Sequence, residues 1–179
     1  AGFHVKINMV VMDEINTDDI LPMLELAKKH DCSIRFIEEM PFNGDGRIPG
    51  KVWNFKQIEE HIRSAYPDLS RLPYVTSSTT YDYEIPGFPG KIGIIAAYSR
   101  TFCGTCNRIR ITPQGTLKTC LYDNGVFDLK ALMRSGASDE AVEMAILQAI
   151  GHRAKDGFEA EEQAARNTLM HASMSTIGG

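Results

Sequence analysis

The chain has 179 residues, is 43% hydrophobic and 23% charged, and carries a formal net charge of -4, values ordinary for one large or two small globular domains. The acidic balance argues against general nucleic-acid binding, which favours a basic surface. No apolar run reaches the ~18 residues that cross a membrane, and the first stretch, AGFHVKINMVVM, lacks the basic n-region of a signal peptide.

In chain order, residues 4–12 read as a buried strand rich in Val, Ile and Met. Asn16, Thr17, Asp18 and Asp19 offer helix caps and N-terminal negative charge. Pro22 is tolerated only in a first turn, so a helix is expected from about Asp18 to about His30. SIRFIE, 33–38, is a second strand, a polar Gly-rich loop follows over 41–51, and 54–66 is a second helix. This strand–helix–strand–helix order is the α/β signature of right-handed βαβ units around a parallel sheet. Residues 67–91 are rich in Pro, Ser, Thr, Tyr and Gly, and read as a linker or irregular crossing. A short strand over 92–98 leads to a hairpin, 108–112 and 116–121, closed by Pro113-Gln114-Gly115. Helices are expected over 127–134 and 138–152, followed by a polar, mobile remainder.

The densest chemistry lies in FCGTCNRIRITPQGTLKTC. Cys103, Cys106 and Cys120 are spaced C-x2-C-x13-C. Such spacing in a chain without a secretory signal points to metal rather than disulfides, in a reducing cytoplasm. Two cysteines two residues apart can grip one centre from a tight turn, with Gly104 easing that turn. Thiolates suit zinc or an iron–sulfur cluster. Structural zinc needs four ligands, but no second C-x2-C is present and no histidine lies between residues 62 and 151. On spacing alone zinc and iron–sulfur both stay open. Cys32, far off between a helix and a strand, reads as a small core residue. Arg108 and Arg110 alternate on an expected strand and so share a face. Beside three cysteines they can fork onto phosphate oxygens. Taken alone they would be solvent-exposed strand arginines. NGDGRIPGKV, 43–52, misses P-loop spacing, with Val52 where Ser or Thr is needed.

The run FCGTCNRIRITPQGTLKTCLYD resembles the C-terminal cluster segment of the molybdenum cofactor biosynthesis protein A family, the GTP 3',8-cyclases. VKIN, RFIEEMP and the closing MSTIGG are similar to the same family in the same order. The resemblance implies a radical S-adenosylmethionine enzyme that acts on GTP, here as its C-terminal part. Its fold would be the C-terminal portion of an incomplete TIM-like (βα) barrel, over 1–72, plus a small α+β iron–sulfur domain over 73–179. It implies a [4Fe–4S] cluster on Cys103, Cys106 and Cys120, and GTP contacts at Lys6, Arg108, Ile109 and Arg110. Met40 would meet S-adenosylmethionine, and Gly178-Gly179 would thread into the active site. Without the resemblance, Lys6 reads as a strand-end lysine, Met40 as core and the two glycines as a plain terminus. Ala172 and Ser173 stand where the family tail would carry Arg and Pro. The family's S-adenosylmethionine-cleaving motif, C-x3-C-x2-C, does not occur here. The chain therefore reads as a piece of a longer enzyme, pairing with an N-terminal half or self-associating, as a homodimer. Two rival readings are a zinc-ribbon-like binding module and a Gly-Gly-tailed carrier.

Overall fold

In a computed structural model the described residues are 2–40 and 52–166. They fall into two compact units that divide between Thr105 and Cys106.

The first unit is built on a five-stranded mixed sheet. β1 (Val5–Val11), β2 (Cys32–Glu38) and β5 (Lys91–Ile95) run parallel, while β4 (Thr80–Glu84) and β3 (Ser70–Arg71) add antiparallel, in the order β1-β2-β5-β4-β3. The helix expected from Asp18 forms as a 3-10 turn, Thr17–Asp19, leading into α1 (Ile20–Lys29), with Pro22 in its first turn. The second helix, α2 (Phe55–Ala65), starts in a reciprocal cap. Asn54 Oδ1 accepts from the backbone N–H groups of Lys56 and Gln57 at 3.0 and 3.1 Å, and Gln57 Oε1 accepts from Asn54 N–H at 3.1 Å. Strand alternation divides the sheet into two chemically different faces. Ile34, Phe36, Ile92, Ile94 and Tyr83 point one way, into a core closed by Ile20 and Leu24 of α1 and by Ile58 and Ile62 of α2. The polar residues point the other way.

Three expectations are corrected in this unit. β1 is an edge strand, bonded only to β2 among the described residues, and Val5 and Val10 are 49% and 42% exposed. On its core-facing side Val11 is buried and Ile7 and Met9 pack against the apolar cluster. The segment 67–91 is not a linker, because β3 and β4 pair there and Tyr83 sits in the core. The boundary expected after residue 72 thus falls inside this sheet, whereas the units divide after Thr105.

The second unit carries a three-stranded antiparallel sheet, β6 (Arg110–Ile111), β7 (Thr116–Lys118) and β8 (Phe127–Asp128). Gly115 closes the β6–β7 turn at φ 88°, a left-handed conformation that suits glycine, and its N–H donates to Thr112 O at 2.8 Å. β8 was not expected. α3 (Leu129–Arg134) and α4 (Asp139–Gly151) form close to the expected spans, capped by Asp128 and Ser138. The expected mobile remainder holds a helix instead, α5 (Gly157–Ala165). Asp156 Oδ1 accepts from Phe158 N–H and Glu159 N–H, both at 2.9 Å, which starts that helix in a polar stretch. Among the described residues no helix is long and apolar enough to cross a membrane.

Candidate functional site

The face of the parallel sheet away from α1 and α2 is polar and basic. Register aligns Lys6 with Ser33, Ser33 with Lys91, Asn8 with Arg35, and Arg35 with Gly93, while Asp82 of β4 lies opposite Gly93. Six side chains of one face are therefore Lys6, Asn8, Ser33, Arg35, Lys91 and Asp82. His4 Nε2 and Ser33 Oγ are 3.0 Å apart and share a hydrogen bond. Gly93 leaves room above the sheet. A Cβ there would stand 2.5 Å from Thr80 Cγ2 and 3.1 Å from Arg35 Cγ. Arg35 Nε is buried without a hydrogen-bond partner among the described residues, an orphan donor that an acidic ligand would satisfy. Arg35 is not among the site residues expected from the sequence. Its alternation within SIRFIE was legible, but the register that sets it beside Asn8 was not.

At the carboxyl end of the parallel strands sits Glu38, fully buried. Its carboxylate accepts from Phe55 N–H and Ser99 N–H, both at 2.6 Å, and from Ser99 Oγ–H at 2.7 Å. It thereby ties β2 to the start of α2 and to the loop leading to Cys103. Met40 lies two residues beyond Glu38 and is half-buried. Lys6 pairs with Ser33, at the amino end of the strands. Five residues of strand, ~17 Å at about 3.3 Å each, separate the Lys6 level from that of Glu38. The structure does not bring Lys6 and Met40 together.

The cysteine loop follows β5. Arg100, 6% exposed, adopts φ 53°, in the left-handed region that non-glycine residues seldom occupy. Cys103 N–H then donates to Arg100 O at 3.1 Å and opens a 3-10 turn, Cys103–Thr105. Cys103 belongs to the first unit, and Cys106 and Cys120 to the second. All four cysteines are outside disulfides; Cys32 is buried, as expected of a core residue, and the other three are half-buried.

Within the second unit Cys106 and Cys120 have charged surroundings of their own. Burial pushes the Cys106 thiol up. The backbone N–H of Arg108, the Arg153 side chain and the charges of both arginines outweigh that, holding it below the usual thiol range. Arg153 Nη1 also donates to Cys106 O at 2.8 Å. Arg108 is in irregular backbone before β6, so the shared strand face expected for it and Arg110 is not formed. Arg110 faces Lys118 across the β6–β7 ladder. Lys118 is 5% exposed and donates through Nζ to Asp123 O. Burial lowers its pKa, against the charges of Asp123 and Cys120 and with help from Arg110. Ile109 is 42% exposed. Gly178 and Gly179, with Ala172 and Ser173, lie outside the described residues, as does the loop 41–51.

The donor set fits a thiolate-held centre: three half-buried thiols outside disulfides, two of them with cations beside them. Among the described residues no three His, Cys, Asp or Glu side chains are gathered into one metal site.

Residues 32–159 match the family model described as Molybdenum Cofactor Synthesis C. A protein of Chlorobaculum tepidum named GTP 3',8-cyclase is 34% identical over 179 residues, 98% of this chain and 52% of that protein. Its namesake in Clostridium perfringens is 38% identical over 177 residues, 98% of this chain and 53% of that protein. Molybdenum cofactor biosynthesis protein 1 of Mus musculus is 42% identical over 149 residues, 83% of this chain and 23% of that protein. The chain thus spans about half the length of these bacterial relatives and about a quarter of the animal one.

Proposed function

Because this chain belongs to the Molybdenum Cofactor Synthesis C family, we propose that it is the substrate-binding part of a GTP 3',8-cyclase. That enzyme acts at the first step of molybdenum cofactor biosynthesis, converting GTP to (8S)-3',8-cyclo-7,8-dihydroguanosine 5'-triphosphate. The observation that carries the reading is that Cys103, Cys106, Arg108, Arg110 and Cys120 all lie inside the matched span, 32–159. Two parallel-strand crossovers with helices on one face support reading the first unit as an arc of TIM-like barrel, its polar face inward. The small sheet with its helices would be the iron–sulfur domain.

A [4Fe–4S] cluster on three cysteines would supply one iron without a protein ligand, able to take a donor atom of guanine. The chain's own residues do the rest of the holding. Arg108 and Arg110 carry permanent charge and fork onto triphosphate oxygens. Lys6 and the orphan Nε of Arg35 add positive charge and a donor on the sheet face. Ile109 offers apolar surface beside the base. Met40, two residues beyond β2, would contact S-adenosylmethionine, and Gly178-Gly179 would reach the substrate. Cleavage of S-adenosylmethionine needs a cysteine set this sequence does not contain. That step belongs to a further part of the enzyme, paired with this one in the cytoplasm; a homodimer of this chain alone would not supply it.

Anaerobic reconstitution with iron and sulfide tests the reading. Iron and acid-labile sulfide in equal amounts, together with GTP binding that Arg108→Ala weakens by about 1.5–3 kcal/mol, are expected. Stoichiometric zinc without sulfide, and nucleotide affinity indifferent to Arg108→Ala, would establish the zinc-ribbon module instead.

A further inference from the structure

We propose that Arg153 and Asp123 are positioning residues for the cluster, each fixing the backbone of one cysteine. The inference rests on the iron–sulfur reading above. Neither residue is part of the cysteine–arginine motif, and they act through opposite charges. Arg153 lies just past the end of α4, 47 residues from Cys106 in sequence, yet its Nη1 donates to Cys106 O at 2.8 Å. The guanidinium therefore holds the carbonyl of one ligand, which fixes the backbone that carries its sulfur.

Asp123 does the complementary work on Cys120. Its Oδ2 accepts from Cys120 N–H at 2.7 Å, from Thr119 N–H at 2.8 Å and from Thr119 Oγ–H at 3.1 Å. Its Oδ1 accepts from Gly125 N–H at 2.8 Å. Lys118 Nζ donates to the Asp123 carbonyl and stands 3.8 Å from Oδ1. Both side chains of that pair are nearly buried, 6% and 12% exposed. A carboxylate with three backbone donors and a buried counter-ion sets the turn that aims Cys120. Outer partners of this kind orient metal ligands and typically change metal affinity by about 10–100-fold when removed. A purely structural clasp would leave thiol chemistry at the individual cysteine untouched.

The test uses the whole chain, with two readouts. In metal-free protein, alkylation rates of each cysteine are followed by mass spectrometry. Arg153→Ala is expected to change the Cys106 rate and Asp123→Ala the Cys120 rate, with Cys32 and Cys103 unchanged in both. After anaerobic reconstitution, both variants are expected to lose iron to a chelator about 10-fold faster than the unaltered chain. Arg153→Lys should not rescue fully, since an ammonium on a differently shaped stem lacks the planar guanidinium that presents Nη1 to the carbonyl. Asp123→Asn should rescue in part, because its one carbonyl oxygen keeps the Cys120 and Thr119 donors but turns an amide toward Gly125 N–H. Asp123→Asn also guards against a misfolded alanine variant. Unaltered alkylation rates with normal iron retention in folded variants overturn the inference alone. An unaltered chain that takes up no iron and sulfide overturns the inference and the iron–sulfur reading together.

Discussion

The two units are held together in different ways. In the first, strands β2, β4 and β5 and helices α1 and α2 bury Phe36, Tyr83, Leu24, Ile34, Ile58 and Ile62 in one continuous cluster. In the second, β6, β7 and β8 are two or three residues long, and among the described residues the buried apolar ones are Leu117, Tyr122, Leu129, Ala145 and Ala160. What orders that unit is polar: caps at Asp128, Ser138 and Asp156, and the Asp123 turn. A small apolar core of this kind leaves room for a bound centre to add stability. One unit thus holds its shape by burial, while the other is ordered by polar contacts and, on the proposed reading, by the centre it would bind.

The largest effect that can break this contrast is Phe36→Ala. Emptying a fully buried aromatic site should cost about 3–5 kcal/mol, read in denaturant unfolding. It should leave the spectrum of a reconstituted cluster intact under native conditions. A change in that spectrum before unfolding would mean that the units are not energetically distinct. Next comes removal of the centre itself. Chelation should raise amide exchange across 116–128 by roughly 10-fold or more, while β2 and β5 keep their protection. Equal loss in both units would erase the distinction.

A smaller effect probes the polar face of the first unit. Gly93→Ala puts a Cβ 2.5 Å from Thr80 Cγ2 and 3.1 Å from Arg35 Cγ. Thr80 is 5% exposed and clasped by Ser78, whose Oγ accepts from Thr80 N–H at 3.0 Å and donates to Thr80 O at 3.0 Å. It cannot retreat freely, and overpacking should cost about 1–3 kcal/mol in thermal melting. Arg35 is the more flexible neighbour. Its displacement should lower GTP affinity more than the loss of stability alone would, as a titration of folded protein would show. Unchanged affinity would remove Arg35 from the site.

Periodicity carried the first unit's outline: both helices, both early parallel strands and the strand before the cysteines follow from apolar spacing and from the polar run 16–19 with Pro22. What it missed depends on partners distant in sequence. Tyr81 and Tyr83 sit in a Pro/Ser/Thr-rich run whose composition says loop, yet pairing with Ile92 and Ile94 makes them strand. β1 has the composition of a buried strand and is an edge. At the candidate site, the cysteines and arginines were legible because their spacing is local. Arg153 was not, because no pattern links it to a cysteine 47 positions away. Asp123 lay within reach, three residues from Cys120, but an aspartate in a turn carries no mark of which N–H groups it will accept.

The smallest expected effect lies within the first unit and is a matter of pH. Glu59 on α2 accepts from the Tyr83 hydroxyl and from Arg63 Nη2, both at 2.8 Å. Burial pushes the Glu59 carboxyl up, but those two hydrogen bonds and the charges of Arg63 and Arg71 outweigh it and hold it below its ordinary value. A depressed carboxyl stabilises the fold above its unfolded pKa of about 4.3, and that contribution is lost as pH falls through the folded value. Burial first, and then the hydrogen bond to Glu59 and its charge, raise the Tyr83 phenol above its usual value. The phenol's contribution is therefore fully present below about pH 10 and lost only in stronger alkali. Glu59→Gln keeps an acceptor for Tyr83 and removes the acid-side titration. Melting temperatures between about pH 5 and pH 3 should then fall less steeply in Glu59→Gln than in the unaltered chain, while near neutrality the variant is the less stable of the two. Parallel slopes would show that the link from α2 to β4 is a hydrogen bond without an electrostatic share. The burial-held unit would then stand on packing with even less help from charge than the contrast with its neighbour supposes.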